Sequence, residues 1–278
     1  MKVVVLSDNR KGIPESETEH GLSIYLESDK YKILLDTGGS DLFLQNAIKS
    51  NIDLSLVDYV FISHGHIDHI GGLPHFLKIN SRAKIILSKH VINRKFYSKR
   101  NEFHDISLDF NFLDYADRLI LVEKELQLDN AICILANTST KFNQPLANQM
   151  LFSEDERGEI VPDDFSHELI FTIDDNNGIF VFTGCAHQGL LNILETVREK
   201  FVSPIQWVMG GFHLLDSRNG LRYESEAEIN ETAEYINNYY PITTFITGHC
   251  TEEKVVGYMK NILDSRLIQL FSGYSIQI

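Results

Sequence analysis

The stretch Ser63 to Gly72, SHGHIDHIGG, sets His64, His66, Asp68 and His69 within six residues, directly after the apolar run VDYVFI. Imidazole nitrogen and carboxylate oxygen suit zinc, manganese or iron, and a catalytic centre needs several such ligands to converge with one coordination position left open. Alternation along extended chain lets His64 and His66 point the same way. Asp68 and His69 are adjacent and must diverge, which sends one pair of side chains toward one metal and the next toward a second. The plainer alternative is a solvated His-rich turn in which Asp68 caps a helix and Gly71 and Gly72 help the chain turn. The context along the rest of the chain decides between the two.

KILLDTGG puts Asp36 at the end of an apolar strand. A carboxylate there can accept the ring N–H of a ligand histidine and fix its tautomer, although capping a helix that starts near Asp41 is an equally local role. GIFVFTGCAHQG ends a strand with Cys185 and His187, both ligand candidates just before a helix. An isolated buried cysteine is otherwise a small core residue. TTFITGHC and WVMGGFHL end two more strands in Gly-then-His, giving His249 as a ligand and His213 as a pocket residue. ESETEHGLSIYLE offers His20 just before a strand, either as a substrate contact or as a surface histidine.

These residues need strands to carry them to one rim. Short β-rich runs bounded by turn residues recur as KVVVLS, GLSIYLES, YKILLDTG, DYVFISHG, AKIILS, AICILAN, ELIFTID, GIFVFTG, IQWVMGGF, TTFITGH and RLIQLFSGYSIQI. Helical patterns lie between several of them, at 41–50, 69–79, 188–201, 224–240 and 252–263. Two similar halves without a sequence repeat, and no Pro/Gly/Ser-rich linker, predict an α/β fold of two packed sheets with helices outside, forming a single domain over 1–278. Residues 137–168 are the least periodic and are expected to be an active-site loop or lid.

The formal charge of −14 repels phosphate backbones, and no basic stripe offsets it locally, which disfavours nucleic acid as the main substrate. The apolar run in MKVVVLSDNR is too short for a signal peptide, no segment suits a membrane span, and three scattered cysteines make no disulfide framework. A reducing cytoplasm is the expected location. Oligomeric state leaves no trace in the sequence.

H-x-H-x-D-H after a strand, here His64, His66, Asp68 and His69, resembles the hallmark of the metallo-β-lactamase superfamily. The resemblance runs over nearly the whole chain, with Asp36 in the earlier Asp motif, Cys185 at the position of the family's bridging Asp or Cys, and His249 in the last His motif. It implies an αββα sandwich of two mixed sheets flanked by helices, with a metal site along one edge. TEHGLSIYLE, LLDTG, TGCAHQGLLNIL, GGFHL and GHCT together look like the branch named for 7,8-dihydropterin-6-methyl-4-(β-D-ribofuranosyl)aminobenzene-5′-phosphate synthase. No separate third-motif histidine stands between Asp105 and His167, so His187 is expected in that role. ANTST and Glu252 of GHCTEEK depart from the branch pattern, and His66 stands where flavin-linked diiron relatives carry Glu.

The expected ligands of two divalent metal ions are therefore His64, His66, Asp68, His69, Cys185, His187 and His249. Zinc is the first expectation, with manganese or iron as alternatives. Asp36 backs the ligands, Asp68 and His213 are the expected catalytic residues, and His20 and His213 contact substrate. The implied activity is hydrolysis of a small phosphoester, phosphodiester or related ester by a metal-activated hydroxide. A transferase like the synthase of the branch name, and a metal- and metabolite-binding module without turnover, are the alternatives.

Overall fold

Runs such as VVVL and IFVF are apolar at every position rather than at alternate ones, which a strand tolerates only where both its faces are covered. The computed structural model, which describes residues 1–175, 177–215 and 221–278, satisfies this with two seven-stranded sheets packed face to face. In spatial order the first sheet runs Ser275–Gln277, Lys2–Ser7, Ser23–Glu27, Lys32–Leu35, Tyr59–Phe61, Lys84–Ser88 and Leu119–Val122. The second runs Leu267–Gln269, Thr244–Thr247, Ile205–Gly210, Ile179–Thr183, Ile170–Asp174, Ile132–Leu135 and Glu125–Gln127. Each sheet is antiparallel through one half and parallel through the other.

Val3, Ile24, Ile33 and Phe61 of the first sheet meet Phe171, Phe180, Phe182 and Ile246 of the second in one buried layer. Phe61 lies 5.6 Å from Phe171 and 6.1 Å from Phe182 between ring centres, so aromatic contacts join the sheets at their middle. Helices Leu42–Lys49 and Leu73–Ile79 cover the outer face of the first sheet. Helices Leu190–Lys200, Glu226–Tyr239 and Glu253–Leu263 cover the second. Helix 226–239 shows how sequence fixes such an element: Ser225 and Glu228 form a reciprocal capping box, and Ile229, Ala233 and Ile236 make the buried stripe. The layering is the α/β, αββα sandwich that the sequence predicts.

All five helical patterns fall on helices. The 69–79 pattern breaks in two, Ile67–Ile70 and Leu73–Ile79, because a Cβ on Gly72 would lie 2.1 Å from the Thr37 carbonyl oxygen and the backbones meet there. The last β-rich run also divides: Leu267–Gln269 ends the second sheet, whereas Ser275–Gln277 joins the edge of the first. Residues 137–168 are not one irregular loop. They contain a 3₁₀ turn, Leu146–Met150, and strands Leu151–Glu154 and Ile160–Pro162, which join Phe96–Ser98 and His104–Asp105 in a small third sheet. Strands of three or four residues leave no readable period, so this hairpin was invisible in the pattern. Among the described residues no helix is long and apolar enough to cross a membrane.

Candidate metal centre

Four histidines, three just past strand ends and His69 on the short helix Ile67–Ile70, have their Nδ1 protons engaged by neighbours. Asp36, held at φ 57° after its strand, accepts from His69 Nδ1 at 2.7 Å and from the Ser63 hydroxyl and amide at 2.6 Å each. The Ser63 oxygen in turn accepts from His64 Nδ1 at 2.8 Å, so one carboxylate orders two imidazoles. His187 Nδ1 donates to Asn148 Oδ1 at 3.1 Å, and His249 Nδ1 to Asn9 Oδ1 at 3.1 Å. In the neutral form of each ring, the tautomer that follows carries its lone pair on Nε2.

Those Nε2 atoms converge. His64 and His187 Nε2 are buried with no hydrogen-bond partner and group with Cys185. His69 Nε2 lies 3.0 Å from His249 Nε2 and 3.2 Å from Cys185 Sγ. Two imidazole lone pairs so close repel unless a positive charge sits between them, and orphaned buried nitrogens cost free energy. This donor set fits metal ions, since nitrogen, sulfur and carboxylate oxygen meet with their backing hydrogen bonds already made. Asp68 Oδ2 joins from the open side, 3.3 Å from His249 Nε2 and 3.8 Å from His69 Nε2.

Gly184 makes the approach possible, because a Cβ there would lie 2.0 Å from Ser63 Oγ. His66 sits beside this cluster, 4.6 Å from His64 and 5.0 Å from His187 between ring centres. Its buried Nε2 has no hydrogen-bond partner and faces Asp163 at 3.5 Å. Asp163 also accepts from His167 Nε2 at 3.0 Å, while His167 Nδ1 accepts the Gly65 amide at 3.0 Å. With both nitrogens of His167 engaged, Asp163 and His167 form a hydrogen-bonded brace beside His66.

Burial, and then neighbouring histidines, press His64 and His187 well below the ordinary imidazole value, which keeps them neutral. Burial opposes ionisation of Asp68, but His69, His249 and His20 outweigh it and hold the carboxyl well below its usual range. Burial also opposes charge on His249, yet Asp68, Cys250 and Asp8 raise it to about 9.

A cleft of about 620 Å³ opens onto these residues, lined also by Arg10, His20, Arg100, His213, Cys250 and Glu252. His20 is half-exposed, stacks on His249 at 5.3 Å and reaches Asp68 at 3.3 Å. His213 lies 4.2 Å from His187 with neither ring nitrogen partnered. Glu252, a departure from the branch pattern, meets Arg100 at 3.4 Å across the cleft mouth. The sequence reading did not single out Asn9, Asn148, Asp163, Glu168 or Cys250. Glu168, buried before its strand, accepts the His187 and Gln188 amides at 2.8 Å each, and burial raises it to about 7. Only Cys250, beside His249 at a strand end, carried a signal that could have been read.

A family model described as the metallo-beta-lactamase superfamily matches residues 17–118. A solved structure described as a metal-dependent hydrolase of the beta-lactamase superfamily is 30% identical, with a TM-score of 0.82, over 100% of this chain and 99% of its own. The chain belongs to the metallo-β-lactamase superfamily. Within that superfamily it is 25% identical, over 84% of its length and 81% of the relative, to 7,8-dihydropterin-6-methyl-4-(beta-D-ribofuranosyl)-aminobenzene-5'-phosphate synthase of Methanocaldococcus jannaschii. It is also 26% identical to an uncharacterized protein of the same organism, over 71% of this chain and 73% of that one. Metal-dependent hydrolysis is the common activity of the superfamily, and divalent ions are its usual cofactors.

Proposed function

We propose that this protein hydrolyses a small ester, with phosphodiesters and phosphomonoesters ahead of lactones. The observation that carries the reading is the convergence of four Nε2 atoms, each with its Nδ1 proton engaged elsewhere, on Cys185 in an open cleft. His64, His66, His187 and Cys185 make one ligand set; Asp68, His69, His249 and Cys185 make the other. Two divalent ions, zinc first and manganese or iron after it, would supply there an acidified water and Lewis acidity at the attacked group.

The side chains do the rest. Asp36, Asn9 and Asn148 keep the imidazoles in one tautomer and one orientation. His213, buried and unpartnered, delivers a proton to the leaving group. His20 contacts the substrate at the mouth. Arg10 lines the cleft of a protein whose net charge is −14, beside the Arg100–Glu252 pair, which favours a small anionic ester over a polymer.

The relation to the synthase supports a second reading, in which the same residues orient two organic substrates and water is excluded. Two experiments on the untagged protein separate them. Elemental analysis of wild type and of the Asp68→Ala/His69→Ala variant should show loss of about one metal equivalent in the variant. A panel of phosphoesters should be turned over by wild type alone. Metal binding without hydrolysis, together with pterin binding, would replace the hydrolase reading with the synthase one.

A further inference from the structure

Cys185 is the only residue shared by three of the ligand groups found among the described residues. Two of them are the sets described above. The third is Cys185, His213 and Cys250, whose donor atoms all lie within 4.8 Å of one another and whose residues are 3%, 8% and 5% exposed.

His213 is decisive. Neither ring nitrogen has a hydrogen-bond partner, although both are buried and at least one must carry a proton or bind something. The backbone around it is shaped for sulfur. Gly211 is required because a Cβ there would lie 2.3 Å from Cys250 Sγ, and the His213 amide donates to that sulfur at 3.3 Å. The Cys250 sulfur is also 3.8 Å from the Cys185 carbonyl oxygen, so the two strand-end loops hold both sulfurs on the same side.

We infer that Cys185, His213 and Cys250 form a third ligand set, for a thiophilic ion such as Cd²⁺, Zn²⁺ or Cu⁺. Two thiolates and an imidazole are soft to borderline donors, unlike the carboxylate-bearing set around Asp68, and a thiolate has lone pairs enough to bridge ions. The set shares Cys185 with the proposed hydrolytic centre but does not depend on hydrolysis. Its occupation would withdraw His213 from proton transfer, so a thiophilic ion would restrain the activity of the cleft.

The test uses metal-free, fully reduced protein titrated separately with Mn²⁺ and Cd²⁺, followed by calorimetry and by thiolate-to-cadmium charge-transfer absorption. Cys133 lies in the apolar core away from these groups, so the absorption reports Cys185 and Cys250. Wild type should bind one equivalent more of Cd²⁺ than of Mn²⁺. Cys250→Ser should abolish that excess and halve the absorption while leaving Mn²⁺ binding and circular dichroism unchanged. His213→Ala should abolish the excess as well. Equal stoichiometry for the two ions, or an absorption unaffected by Cys250→Ser, overturns the third set and leaves the hydrolase reading standing. Cadmium excess in a protein that hydrolyses no ester keeps the third set and removes only the hydrolase.

Discussion

Replacing Asp36 by Asn changes almost no volume but turns one acceptor into a donor. The amide cannot accept from His69 Nδ1 and also serve both the Ser63 hydroxyl and amide, so the proton order of two imidazoles is lost at once. We expect Asp36→Asn to lower metal affinity about 10–100-fold, measured by competition with a chromogenic chelator. Unchanged affinity would mean that the relay through Ser63 does not set the His64 tautomer. That Asp36 stood at a strand end was legible, because apolar run followed by Asp-Thr-Gly is a local signal. The relay was not legible, because it joins residues 27 apart in sequence. Cys250 carried only its place beside His249 at a strand end; what makes it a ligand candidate is the facing His213, 37 residues away in sequence.

Elements with a full buried stripe and a cap were legible to within a residue or two, as helix 226–239 shows. Hairpin 151–162 was not, since its strands are short and pair with a distant segment. Helix 190–200 carries a test of how its neighbours hold it. Glu195 is buried on this helix and accepts from Tyr240 at 2.7 Å, Lys141 at 3.3 Å and Arg198. Burial opposes its ionisation, but Arg198, Tyr240 and Lys141 outweigh that and lower it from 4.5 to about 2. A lowered folded-state value stabilises above the unfolded value, and the gain is lost as pH falls through the folded one. Glu195→Gln should therefore cost on the order of 2 kcal/mol in urea unfolding at pH 7, with the difference closing as pH falls from about 4.5 toward 2. A difference that does not depend on pH would assign the effect to packing.

At the scale of the molecule the proposed ligands come from both sheets: His64 follows a strand of the first and His69 the short helix after it, whereas Cys185, His187 and His249 follow strands of the second. Ions held between them would bind the folded chain and not the unfolded one, and so would tie the layers together by mass action. Chelation should lower the melting temperature by about 5 °C or more when free metal had stood at about 100 times its dissociation constant. An unchanged melting temperature would place the ions outside this junction. The two-layer architecture could be anticipated because it follows from local patterns summed over many strands, whereas the third sheet had no such sum to draw on.

That third sheet borders the cleft through Ser98, His104 and Leu151, with Arg100 on the connection between two of its strands, yet supplies none of the proposed ligands. The molecule thus divides its labour between a chassis that carries the chemistry and a cassette that shapes what reaches it. Lengthening the turns of that cassette would change what the cleft admits, so long as Asn148 and Asp163, which flank its strands and touch His187 and His66, stay in place.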